Sequence, residues 1–191
     1  MPRLFTGIEI PPELRARLAS LRSPLPGAKW VETDNLHITL RFAGDIDNRA
    51  AQEFADQLAA IEVDCFDIKI SGLGAFGGND PKILWAGVEA GPELASLARA
   101  SERAARSAGL PPEARAFKAH ITLARMRHAR VDVVAKFLER NGRFSLPSFR
   151  VERFVLFSSR PKVGGGPYAL EEAYPLIGAI PEAYMDPDAI W

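Results

Sequence analysis

The spacing of apolar and polar residues divides the chain into short strands and amphipathic helices. Leu4 to Ile10 reads as a strand, and Pro11-Pro12-Glu13 then opens a helix that runs to about Leu21. Proline in a first helical turn loses no needed hydrogen bond, and an acid there suits the positive end of the helix dipole. Trp30-Val31 and Leu36 to Phe42 are expected strands around the polar turn Glu32 to Asn35, with Gly44 to Asp47 as a loop. Asn48 to Ile61 carries helical periodicity through Phe54, Leu58 and Ile61. Strands are expected at Phe66 to Leu73 and Ile83 to Val88, joined by the turn Gly77 to Pro81. A helix from Pro92 to Ala108 stops at Gly109 with two prolines behind it. The rhythm then repeats: a strand at Ala119 to Ala124, a helix at Val131 to Glu139, and strands at Phe144 to Phe149, Val151 to Ser158 and Tyr168 to Leu176.

Each half therefore runs strand, helix, strand, strand, and each run starts from the same tetrapeptide, His37-Ile38-Thr39-Leu40 and His120-Ile121-Thr122-Leu123. The chain has only four threonines, and two of them stand two places after two of its three histidines, so coincidence is a poor explanation. Side chains two apart on a strand share a face, which puts each histidine beside its threonine and turns the intervening Ile and Leu into the core. Two such strands, one per half, bring two imidazoles and two hydroxyls around one point. Histidine changes its proton near neutral pH, so a pair can act as acid and base together. Threonine hydroxyls donate to phosphate oxygens without adding charge. By the same parity Arg41 shares the face of His37 and Thr39 and Phe42 points to the core. Arg125 reaches the site only if its strand ends or bulges near Ala124.

At these residues the chain resembles the two-histidine (2H) phosphoesterases, marked by two His-x-Thr-x motifs. More closely, Met1 to Glu9, His37 to Asp45 and His120 to Arg125 look like the bacterial and archaeal RNA 2′,3′-cyclic phosphodiesterases, and Leu156-Phe157-Ser158-Ser159 with Tyr168 is similar to that family's C-terminal half. The resemblance implies a bilobal α+β fold: two pseudo-symmetric lobes, each with an antiparallel β-sheet and helices packed outside, and an active-site cleft between them. It implies one such domain over residues 1–178, with 179–191 as a C-terminal tail over the surface. It also implies metal-independent hydrolysis of an RNA or nucleotide 2′,3′-cyclic phosphodiester to a 2′-phosphomonoester. In that scheme His120 is the proton acceptor and His37 the proton donor. Thr39, Thr122 and Arg125 bind the substrate in that scheme, strand parity adds Arg41 as a second candidate, and neither a metal nor another cofactor is needed. The residues alone leave the two histidines interchangeable; only the resemblance assigns their roles.

Composition narrows this little further. Lys and Arg total 24 against 24 Asp and Glu, so the net charge is zero, which suits a short RNA end better than a long polyanion. One cysteine and three histidines supply neither a disulfide framework nor a Cys-rich zinc site. The expected partners are RNA ends or small cyclic nucleotides, with no membrane, no obligatory protein partner, a monomeric state and a cytoplasmic location. His128 lies in the polar run Arg125 to Arg130 and reads as a solvated loop residue. The Gly164-Gly165-Gly166 run reads as a hairpin connection. Two other functions remain open: 2′,5′-ligation of RNA ends by the reverse reaction, and a non-catalytic module that binds nucleotides or RNA ends.

Overall fold

The computed structural model describes residues 3–160 and 166–180. Most of the Gly164 to Gly166 run, and residues 181–191 of the expected tail, lie outside the described residues. In chain order the elements are β1 (Arg3–Glu9), α1 (Pro12–Ala19), β2 (Ala28–Trp30), β3 (His37–Asp45), α2 (Asn48–Ala59), β4 (Phe66–Phe76), β5 (Ile83–Ala90), α3 (Pro92–Ser107), β6 (His120–Met126), α4 (Val131–Arg140), β7 (Phe149–Val151), β8 (Arg153–Ser159) and β9 (Ala169–Pro175). A 3-10 turn at Thr33–Asn35 leads into β3.

The helices start and stop where the local chemistry dictates. Asp47 caps α2 by accepting from the backbone N–H of Ala50 at 2.8 Å, and Pro92 and Glu93 open α3. At the other end of α3, Gly109 at φ +83° donates to the carbonyl of Arg106 while Leu110 reaches back to that of Ala105. This left-handed glycine stop satisfies the last carbonyls and tucks Leu110 under the helix. Leu94, Leu97, Ala98, Ser101, Ala104 and Ala105 line one buried face of α3, at helical spacing. With Phe54 and Leu58 of α2 they pack into a core shared with Ile38, Ile68, Ile121 and Phe154 of the sheet. Truncating a fully buried aromatic such as Phe54 to alanine costs about 3–5 kcal/mol. No helix among the described residues is long and apolar enough to cross a membrane.

The nine strands of the described residues belong to one curled antiparallel sheet in the order β7-β4-β5-β6-β3-β1-β8-β9, with β2 added to β6. Its two halves meet between β3 and β6, where Ile38 opposite Ile121 is the single pairing. Reading the order from either end exchanges β1 with β5, β3 with β6, and β4 with β8. The repeat is thus strand-helix-strand-helix-strand and starts one strand before each His-Ile-Thr-Leu segment. The last strand of each repeat crosses over: β4 pairs with β5, and β8 with β1. Neither half of the sequence builds a lobe alone, and the two lobes share one continuous backbone ladder.

Several element boundaries differ from the sequence expectation, and two of the differences have a clear physical cause. Gly44 and Asp45 continue β3 instead of forming a loop, because Leu4 and Arg3 pair with them. The strand expected at Phe144 to Phe149 forms only as β7, over Phe149–Val151. Pro147 has no N–H to give a ladder, so residues 144–146 reach β4 through isolated bonds, such as Leu146 N–H to the carbonyl of Ile70 at 2.9 Å.

Candidate active site

Both His-x-Thr-x strands are interrupted at the same place. In the β1–β3 pairing Thr6 opposes Arg41 and Gly7 opposes Thr39, so Leu40 is an extra residue in the ladder. In the β5–β6 pairing Leu84 opposes Ala124 and Trp85 opposes Thr122, so Leu123 is the extra residue. A bulge of one residue reverses the facing of everything after it. His37 and Thr39 share the cleft face, Leu40 and Arg41 are both buried on the core side, and Phe42 returns to the cleft. His120 and Thr122, then Leu123 and Ala124, then Arg125 follow the same pattern. The freed Leu123 carbonyl accepts from Val31 N–H at 2.8 Å, which ties the end of β2 to the bulge.

This corrects the parity reading of Arg41. Its guanidinium is buried away from the cleft, where it pairs with Glu102 of α3 and donates to the carbonyls of Phe42 and Pro111. Arg41 therefore fastens α3 and the loop after it to β3, and it does not line the site. Phe42, expected in the core, is 40% exposed on the cleft wall, with the Arg3 guanidinium 5.2 Å from its ring centre. Arg125, which needed a bulge to reach the site, gets one and lines the cleft. His128 lies on an exposed turn beyond β6 at φ +52°.

The cleft that results has a volume of about 110 Å³ and is lined by Phe5, Val31, Asn35, His37, Thr39, Phe42, His120, Thr122, Arg125 and Tyr168. A larger groove of about 850 Å³ adjoins it at Asn35, His37 and Tyr168. The charges of that groove pair off among themselves, Arg153 with Glu9 at 2.9 Å, Arg15 with Asp34 at 3.7 Å and Arg150 with Glu152 at 3.8 Å. It offers little net charge to a phosphate, whereas the smaller cleft gathers both imidazoles, both hydroxyls and Arg125.

The two histidines are held alike. His37 Nδ1 donates to the carbonyl of Asn35 at 2.6 Å, and His120 Nδ1 donates to the carbonyl of Lys118 at 2.7 Å. In each case the acceptor is the residue two places upstream, so Nε2 is the nitrogen left for chemistry. Around them the environments diverge. Phe5, Phe157 and Tyr168 enclose His37 with ring centroids 4.9, 5.7 and 5.4 Å away. Burial drives its pKa down to about 4, opposed by the bond to Asn35 and reinforced by the nearby Arg125 and His120. A neutral His37 accepts from the Thr39 hydroxyl through Nε2 at 2.9 Å. His120 is half-buried, with the edge of Phe76 at 5.1 Å as its ring neighbour. Gly7 makes room on the enclosed side: a Cβ there would lie 2.7 Å from the Ile38 carbonyl and 3.5 Å from the His37 ring.

Sequence reasoning missed the supports of His37. The Asn35 amide oxygen accepts from the backbone N–H of Tyr168 at 3.2 Å, which brings the start of β9 against the imidazole. The carbonyl two places upstream of each histidine is a backbone feature that side-chain identities do not signal.

Comparison with known proteins gives a consistent picture. The sequence matches the family described as LigT like Phosphoesterase over residues 8–85 and 87–168. It is 38% identical to an RNA 2′,3′-cyclic phosphodiesterase of Aeropyrum pernix over 150 residues, 75% of this chain and 85% of that one. A Bacillus subtilis protein of the same name is 31% identical over 162 residues, 82% of this chain and 87% of its own. Among solved structures, E. coli LigT complexed with 3′-AMP superposes with a TM-score of 0.73 at 24% identity, covering 93% of this chain and 99% of that one.

Proposed function

The chain belongs to the LigT-like phosphoesterase family, and on that premise we propose that its cleft opens the 2′,3′-cyclic phosphodiester at an RNA end to leave a 2′-phosphomonoester. Water attacks phosphorus as His120 Nε2 takes its proton, and the bond from phosphorus to O3′ breaks as His37 Nε2 delivers a proton to that oxygen. Thr39 and Thr122 donate to the non-bridging oxygens, and Arg125 meets the charge that accumulates on them. Residues 1–178 act as one bilobal unit in this reading, since the two histidines come from opposite half-sheets. An RNA substrate also fits a cytoplasmic monomer.

The observation that carries this reading is the matched anchoring of the histidines, each with Nδ1–H tied to a carbonyl and Nε2 left to exchange protons beside a threonine. Their unequal surroundings support unequal roles. His120, with fewer rings around it than His37, leaves water room to reach it for activation. An enclosed His37 holds a proton poorly when the cleft is empty and better when an anionic diester lies beside it, because opposite charge favours the imidazolium. Substrate binding thereby loads the acid.

The test is incubation of the purified chain, in excess chelator, with a short RNA ending in a 2′,3′-cyclic phosphate, alongside His37→Ala and His120→Ala. Turnover to a 2′-phosphate that both variants lose supports the reading. Binding without turnover in the wild type would leave a nucleotide-binding module instead.

A further inference from the structure

Among the described residues β2 has no counterpart in the pseudo-symmetric arrangement of the other lobe, and it sets a lysine beside the cleft. In its pairing with β6, Ala28 opposes Met126, Lys29 opposes Arg125 and Trp30 opposes Ala124. Trp30 packs on Phe137 of α4 with ring centroids 5.9 Å apart, so Ala28 and Trp30 face the core. Lys29 therefore faces the other way, on the same side as Val31, which lines the cleft. Directly opposite residues of an antiparallel pair project from one face about 5 Å apart, and two like charges in that position repel. Both side chains are exposed, and among the described residues neither makes an ion pair or a side-chain hydrogen bond. The nearby Lys82, by contrast, is paired with Asp80 at 2.5 Å.

An uncompensated pair of cations, one inside the cleft and one just beyond it, fits two successive negative charges on a ligand. We infer that Lys29 binds the internucleotide phosphate on the 5′ side of the terminal nucleotide while Arg125 serves the cyclic phosphate, so that an RNA end of two or more nucleotides is preferred over a mononucleotide. The inference rests on the proposed phosphodiesterase reading and specifies its substrate class.

The experiment compares kcat/KM for a short RNA with a 2′,3′-cyclic end and for a nucleoside 2′,3′-cyclic monophosphate, using the wild type, Lys29→Ala and Lys29→Arg. Lys29→Ala is expected to lose about tenfold on the RNA, chiefly in KM, with mononucleotide turnover unchanged and Lys29→Arg close to wild type. The salt dependence of log KM for the RNA should flatten by about 0.7, the slope of one phosphate contact on a single strand. Because Lys29→Ala also relieves a repulsion, its melting temperature should not fall. Equal effects on both substrates, or none on the RNA, would overturn the assignment. If the wild type turns over neither substrate, the hydrolase reading fails on its own. The salt slope for binding of the same RNA then decides the Lys29 contact: flattening in Lys29→Ala upholds it, and an unchanged slope refutes it.

Discussion

β3 and β6 begin with the same four residues, bulge at the same leucine and meet at equivalent isoleucines, yet they deliver different chemistry. The difference lies in the two positions after the bulge and in what covers each histidine. On β3 those positions hold Arg41 and Phe42; on β6 they hold Ala124 and Arg125. The core-side position thus carries a buried ion pair in one strand and a methyl group in the other, while the cleft-side position carries an aromatic ring in one and a cation in the other. Three rings enclose His37, and one, Phe76, meets His120. A duplicated scaffold has kept its geometry and diverged in its electrostatics, which leaves its two imidazoles in unequal surroundings.

The largest effect that should break this comparison is loss of either imidazole. His37→Ala and His120→Ala are each expected to reduce kcat on a cyclic-phosphate RNA by at least 10²–10⁴, the usual worth of a positioned general acid or base. The two arginines should separate more instructively. Arg125→Ala is expected to cost about 10²–10³ in kcat with little change in denaturation midpoint, as for other groups that stabilise transition-state charge. Arg41→Ala should instead lower stability by about 2 kcal/mol, because the carbonyls of Phe42 and Pro111 and the partly exposed Glu102 carboxylate lose their donor, while kcat/KM per folded molecule stays near wild type. Urea melts and initial rates on both variants would check the pair, and a reversed pattern would restore the parity reading.

A subtler consequence concerns pH. In the empty cleft His37 has a pKa of about 4, and a bound anion raises it, so the complex takes up protons that the free protein lacks. Affinity for a nucleoside 2′-phosphate should therefore increase as pH falls from 7 through the bound-state pKa, and level off below about 4, where the free protein is protonated too. Calorimetry in buffers of different ionisation enthalpy would read the uptake directly, after subtraction of the phosphate's own titration. The smallest expected effect separates the threonines. Thr39 bonds to His37 Nε2, so Thr39→Val should shift the proton-linked profile by the worth of one hydrogen bond, about 1 kcal/mol, while Thr122→Val lowers affinity without that shift.

Much of this was legible in the chain. A proline start and a glycine stop placed α3, and the paired tetrapeptides located both histidines and threonines. Parity failed one residue past the motif, because a bulge depends on strand pairing and leaves no mark in the leucine that forms it. That failure exchanged Arg41 with Phe42 and left Arg125 conditional. Strand crossing was equally invisible: β4 and β8 read as continuations of their own halves, and only the sheet order shows them completing the opposite one. The inequality of the histidines was hidden for the same reason, since Phe5, Phe157 and Tyr168 gather around His37 from three different strands or their approaches.

The assignment of His37 as acid and His120 as base is tested most directly by a substrate whose leaving group needs no proton. On a nitrophenyl ester of a nucleoside 2′-phosphate, His37→Ala should recover to within about tenfold of wild-type kcat, while His120→Ala stays as impaired as on RNA. Recovery by His120→Ala and not by His37→Ala would contradict the account and reverse the two roles.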